Sequence, residues 1–294
     1  MARNLLALHA NEMLSSHRRP LAKPSLETTP GNKSALQMTS YLMPFTLSHA
    51  GFVMPTHRSL SARTFCALLL GSLLPDTGYF IRQYDLTAFA HTAWGLLLFC
   101  LPLGLVLQLV VTRSFHHLVA PLPLPHRAYL RRANLSTPMR STEWLALLAG
   151  AASHQFIDAF THEPGQGVAA FPILTTEVFT FGGSAFPIFR LLQYGGSLVG
   201  LALLGLIYLR GLRPYLDRER MSLWQDGRGW VRLLGGAAIS CFLALLLHLD
   251  ILLRLEDVDT LRAFAFQFLT SWIPLGILVL VLQAFLINRH QGKE

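Results

Sequence analysis

The sequence predicts an all-α fold: a polytopic integral membrane protein of about six transmembrane helices, with an additional short re-entrant segment near its N-terminus. Three observations predict it. Of 294 residues, 52% are hydrophobic and only 14% charged, against about 25% charged in a soluble domain, and the mean hydropathy is +0.43. Apolar runs near the ~20 residues needed for a crossing recur along the chain. Arginine and lysine concentrate in every second connection, the asymmetry that marks cytoplasmic loops.

That asymmetry also interprets the charge. A net charge of +8 and a pI of 9.9 are compatible with nucleic-acid binding, but the basic residues sit in alternate loops. The expected partners are membrane lipids and a lipid or other anionic substrate, with no nucleic acid; nothing specifies an oligomeric partner. Cys66, Cys100 and Cys241 all fall inside apolar runs, which makes neither a disulfide framework nor a cysteine zinc cluster.

Residues 1–42 are polar, rich in Pro, Ser and Lys, and aperiodic, so they read as a disordered extension, with Met43 as an alternative start; they lack a signal-peptide pattern. Residues 43–290 form the expected helical transmembrane domain. Its first apolar segment, 41–56, carries Pro44 and Pro55 near its two ends and is too short to span. Either it re-enters the bilayer, which requires burial in protein, or it crosses, giving seven segments and an outside N-terminus. Six longer candidates follow at 62–81, 92–112, 143–161, 187–209, 231–253 and 264–287. Pro75 and Asp76 interrupt the first, while Pro102 and Pro274 are tolerable kinks. Arg113, Arg127, Arg131, Arg132 and Arg140 load the connection after the second candidate. Arg210, Arg213, Arg218, Arg220 and Arg228 load the one after the fourth, whereas 162–186 has no Lys or Arg. Six spans with both termini cytoplasmic satisfy this pattern.

In that topology the third span runs outward and ends in SHQFIDAFTH, which sets His154, Asp158 and His162 four apart on one helical face. At 1.5 Å per residue Asp158 lies about 22 Å above the inner end of its helix, and Asp76 about 21 Å along the first span. His91 opens the second span at the same level. An imidazole and a carboxylate one turn apart can hold a metal, and open zinc sites use three protein ligands plus water; bound metal activates that water. Ionisable side chains inside a span are costly and mark function, although a polar network pairing helices is the structural alternative. His162 caps the layer as a ligand, an acid/base group or a gate. His248 with Asp250, Arg190 and the loop histidines His116, His117 and His126 are weaker features. For the last three, solvated surface is the default.

The ordered motifs MPFTLSHAGFVMP (43–55), LLLGSLLPDTGYFI (68–81), HTAWGLLLFCLPLG (91–104), GAASHQFIDAFTH (150–162) and LLQYGGSLVG (191–200) resemble the bacterial membrane family DUF4184, of unknown function. The resemblance covers about 43–287 and implies a multi-pass protein of the bacterial inner membrane. More distantly, His49, Pro75-Asp76, His91 and Ser153-His154 with Asp158 resemble the YdjM-like (DUF457) membrane-bound metal-dependent hydrolases. That family shows a His-Arg-Gly before its Thr-His-Ser, and FAHTAWG here keeps only His91. Resemblance, rather than topology, adds His49 to the ligands. The implied metal set is His49, Asp76, His91, His154, Asp158 and His162 around a divalent ion, with zinc expected. Asp76 and His162 are the catalytic candidates. The expected function is metal-dependent hydrolysis of a membrane-associated ester or phosphoester. The alternatives are a proton- or cation-handling transporter or channel, and a structural membrane protein without catalysis.

Overall fold

A computed structural model describes residues 46–135, 140–163, 165–181, 184–219, 224, 226–255 and 258–291; the expected extension 1–42 lies outside them. Helices α1 (Leu47–Val53), α2 (Ala62–Gly71), α3 (Thr77–Phe80) and α4 (Tyr84–Ala90) lead into α5 (Ala93–Leu118). After α6 (Leu124–Leu130) come α7 (Ser141–Thr161) and α8 (Gln166–Ala170). A small hairpin, β1 (Glu177–Phe181) with β2 (Ser184–Pro187), departs from the all-α expectation. The long helices α9 (Ile188–Glu219), α10 (Gly227–Leu247) and α12 (Val258–Gln291) complete the chain, with α11 (Leu249–Leu252) between the last two.

Among the described residues, four helices are long and apolar enough to cross a membrane: α5, and the apolar stretches Ile188–Pro214, Gly227–Leu247 and Thr260–Arg289. They turn leucine, valine and phenylalanine outward, as at Leu98, Val106, Leu198, Leu246 and Phe285. An apolar exterior of this kind needs an apolar solvent. The candidate at 62–81 is not one helix. Pro75 has no N–H to donate to the Gly71 carbonyl, so α2 ends at Gly71, a 3-10 turn covers Leu74–Asp76, and α3 adds four residues. The candidate at 143–161 is the continuous 21-residue α7. The fifth candidate stops at Leu247, short of 253. In α5 a π-helical turn at Leu96–Cys100 precedes Pro102.

Contacts sort the connections into two ends. At the basic end, Arg63 at the start of α2 donates to the Leu135 carbonyl at 3.1 Å. Thr64 donates to Glu143 of α7 at 3.1 Å, and Asp226 accepts from the Leu124 N–H at 3.1 Å. His126 is half-buried there rather than free in solvent: its Nδ1 lies 2.8 Å from the Tyr208 hydroxyl and its ring meets Trp230 edge-on. His116 and His117 are exposed, as expected. At the opposite end Arg82 reaches His248 at 3.4 Å, and Tyr79 meets Phe266 edge-on. Helices α2 and α7 therefore both run from the basic end towards the other.

Two glycine crossings fix the interior. A Cβ on Gly71 would lie 2.2 Å from the Leu147 carbonyl oxygen, and one on Gly150 would lie 2.3 Å from that of Leu68, so α2 and α7 touch backbone to backbone. Gly51 of α1 and Gly200 of α9 do the same: their added Cβ atoms would fall 1.8 Å from Gly200 O and 2.3 Å from Ser48 O. Small residues at crossings are how helices approach closely without a hydrophobic driving force between them. Gly71→Leu or Gly150→Leu is expected to destabilise the protein by at least the ~1–3 kcal/mol typical of overpacking, read as a lower melting temperature in detergent. Gly205→Ala, where an added Cβ meets open space, should leave it unchanged.

Candidate metal centre

The α2–α7 crossing delivers the site. Five residues beyond Gly71, the 3-10 turn presents Asp76; one turn beyond Gly150, α7 presents His154, and one turn further Asp158. His91 is the residue that ends α4. Asp76 and His154 are wholly buried, Asp158 is buried, and the His91 side chain is 23% exposed.

Backbone carbonyls set the histidines. His154 Nδ1 lies 2.8 Å from the Ser72 carbonyl oxygen, and His91 Nδ1 lies 2.8 Å from that of Thr87. A carbonyl can only accept, so both Nδ1 atoms carry hydrogen and both Nε2 atoms turn to the centre, the arrangement typical of a metal-ligating histidine. The Ser72 carbonyl is available because α2 has just ended, leaving its last carbonyls without intrahelical donors.

Nitrogen and oxygen ligand atoms then alternate around one point. His154 Nε2 is 3.2 Å from Asp76 Oδ1 and 3.1 Å from Asp158 Oδ2. His91 Nε2 is 3.6 Å and 3.3 Å from the same two oxygens. All four residues offer ligand atoms within 4.8 Å of one another and form a group able to hold a metal ion. Bonds of about 2.0–2.2 Å to tetrahedral zinc place neighbouring ligand atoms about 3.3–3.6 Å apart, so these spacings match the edges of such a shell.

The electrostatics point the same way. His91 Nε2, His154 Nε2, both oxygens of Asp76, Asp158 Oδ1 and both nitrogens of His49 are buried without an aligned hydrogen-bond partner. Each such atom costs about 1–3 kcal/mol, more when charged. Together they rival the ~5–15 kcal/mol stability of a whole protein. A cation among them removes most of that cost, and a structural zinc contributes about 10–16 kcal/mol of binding free energy.

The other two sequence candidates sit beside the four. His49 stacks on His154, ring centroids 3.8 Å apart, and its Nε2 is 3.4 Å from Asp158 Oδ1, the oxygen facing away from His91. Its helix α1 is far too short to span and is buried. His162 Nδ1 is 3.5 Å from Asp158 Oδ1 and 3.0 Å from the Thr161 hydroxyl, while its Nε2 meets Gln193 Nε2 at 3.1 Å. With the Gln193 amide donating, the His162 proton belongs on Nδ1, facing Asp158. Gln193 was missed in the sequence; its only signal was an amide in an otherwise apolar run. Thr87 and Ser72 act through backbone carbonyls and gave no signal. His248 does not line the centre: it bonds Ser271 at 2.9 Å, and burial, then the Arg82 guanidinium, hold its imidazole below its ordinary pKa.

Fold and site together define the class: a helical protein with four membrane-length apolar helices and a buried centre of two carboxylates and two imidazoles able to hold a metal ion. The chain belongs to the family described as a domain of unknown function, DUF4184, whose model matches residues 43–285. No curated protein and no solved structure matches it.

Purified protein should carry about one divalent ion per chain, with nitrogen and oxygen neighbours at about 2.0–2.2 Å by X-ray absorption if it is zinc. His154→Ala and Asp158→Ala should each lose it. His49→Ala should keep it, because His49 stands outside the four-residue group.

Proposed function

We propose that the protein is a metal-dependent hydrolase of the bacterial inner membrane, acting on a membrane-associated ester or phosphoester. The observation that carries this reading is the aim of two carbonyl-anchored imidazoles, Nε2 first, at two carboxylates with which neither forms an aligned hydrogen bond. Asp76, His91, His154 and Asp158 hold the ion, zinc being the ion this donor set favours. When bound, it supplies a polarised oxygen and a water acidified towards neutrality.

The remaining steps fall to this chain's own groups. Asp76, with a second carboxylate oxygen also unpartnered, is the base beside the centre. His162, at the outer rim with its side chain 20% exposed, moves a proton at Nδ1 and communicates with the ion through Asp158. His91 marks a further side on which the centre opens.

In this reading the chain crosses six times, with α2–α3 and α7 added to the four long helices, both termini cytoplasmic and the basic end inside. Between the centre and the buried polar groups Arg63, Gln108 and Glu143 of the basic end lies an apolar layer that includes Ala67, Leu68, Leu147 and Ala151. A transporter needs polar groups continuing through it, so the apolar floor favours a one-sided enzyme over the proton- or cation-handling alternative.

His162→Ala should retain metal while turnover of a phospholipid and ester panel in mixed micelles falls about 10²–10⁴-fold. Replacing His154 and Asp158 together by apolar residues of similar size should abolish turnover even where the fold survives; full activity of that double variant rejects catalysis. In a cysteine-free background, Thr180→Cys should react with an impermeant thiol reagent in intact cells and Ala133→Cys should not. The opposite labelling reverses the orientation.

A further inference from the structure

Three of the four residues of the centre are placed by the α2–α7 crossing, but His91 is not. It ends α4, outside that crossing, and is the least buried of the four. The chain around it is a tight turn. A Cβ on Gly95 would lie 1.9 Å from the Phe89 carbonyl oxygen. The Thr92 hydroxyl donates to that same oxygen at 2.8 Å and accepts the Gly95 N–H at 2.9 Å. The last turn of α4 and the first of α5 thus form one stiff unit with His91 at its bend. The His91 Nδ1 bond to Thr87 lies inside this unit and orients the ring only relative to it.

A side chain of α7 ties the unit down. Gln155, the residue after His154, donates from its amide nitrogen to the Ala90 carbonyl at 2.9 Å and reaches the Thr92 carbonyl at 3.4 Å. Ala90 and Thr92 stand on either side of His91. The Ala90 carbonyl ends α4, where intrahelical donors run out, and the Thr92 carbonyl also accepts the Leu96 N–H at 3.0 Å. Gln155 is three residues before Asp158, a neighbouring position on the helix surface. Its amide therefore fastens both flanks of His91 to the helix that carries two of the other three residues. The 3.3 Å approach of His91 Nε2 to Asp158 Oδ2 depends on that fastening. Both partners are carbonyls and can only accept, so the bond requires a donor, and a side chain of equal length without an N–H leaves the turn unheld.

We propose that Gln155 is a positioning residue of the metal centre, holding His91 against Asp158 and Asp76 without itself touching the ion. The assignment rests on the metal reading, and its test separates the two. Full-length Gln155→Met, which keeps the length of the side chain but has no donor, is compared with wild type in neutral detergent. Metal-free protein is treated with diethyl pyrocarbonate, and the carbethoxylation rate of each histidine is followed by peptide mass spectrometry. Cobalt(II) is then titrated in competition with a chelator, following its visible absorption. In the variant His91 should react severalfold faster, while His162, at the other rim of the centre, keeps its wild-type rate. Cobalt affinity should fall about 10–100-fold, the usual effect of losing an outer partner of a metal-binding histidine. A wild-type His91 rate in the variant overturns the proposal whatever the cobalt result. A rise at both histidines overturns it too, because the amide then braces the fold as a whole. Equal cobalt affinity in the two proteins leaves the metal reading in place and overturns the role of Gln155. If wild type binds no cobalt while His91 alone is released in the variant, the metal reading fails and the positioning of His91 stands.

Discussion

The contact between the backbones of α2 and α7 is the constraint on which the rest depends. Gly71 and Gly150 each face a main-chain carbonyl of the other helix at a distance no Cβ would permit. Side chains near the crossing are therefore held at short, determined separations. Asp76 and His154 emerge within a few residues of it, and their 3.2 Å approach follows from the crossing. The second glycine pair, Gly51 with Gly200, acts likewise on α1 and sets His49 on the His154 ring. Backbone contacts are stiff, so the centre inherits precision that long side chains alone would not give it.

Helix ends provide the other ingredient. Ser72 follows the last residue of α2, where carbonyls lack intrahelical donors, and Thr87 lies in the last turn of α4, its carbonyl also accepting the His91 N–H at 3.1 Å. Each accepts from an imidazole Nδ1 and fixes both the tautomer and the plane of the ring. An uninterrupted helix over 62–81 would have consumed the Ser72 carbonyl internally. The proline that breaks the apolar run thus serves the site twice, by freeing that acceptor and by turning Asp76 inward.

Much of this was legible in the sequence. The four-residue repeat of His154, Asp158 and His162 needs only the helical period, and the convergence of Asp76 and His91 followed from counting residues along outward-running helices. The four long apolar helices announced themselves by composition. What was hidden depends on tertiary contact. Gln193 looks like any amide until His162 is placed beside it. His126, on a basic loop, gave no sign of the Tyr208 and Trp230 rings that pack against it. The break at Ser72–Asp76 was flagged by Pro75, but the apolar composition of 62–81 argued for continuity. The hairpin at 177–187 was obscured because its phenylalanines suit an interfacial loop equally well.

The distribution of the site along the chain bears on how the molecule is made. His49, Asp76, His91, His154, Asp158 and His162 all precede residue 163, whereas three of the four long apolar helices follow it. A nascent chain emerging in order therefore possesses every side chain of the candidate site before it possesses α9, α10 or α12. Yet His49 is steadied by α9 through Gly200, and His162 by Gln193 of the same helix. Completion of the candidate site's residues and closure of its walls are consequently separate events in synthesis, with the arrival of α9 dividing an early, accessible centre from the enclosed one of the finished protein.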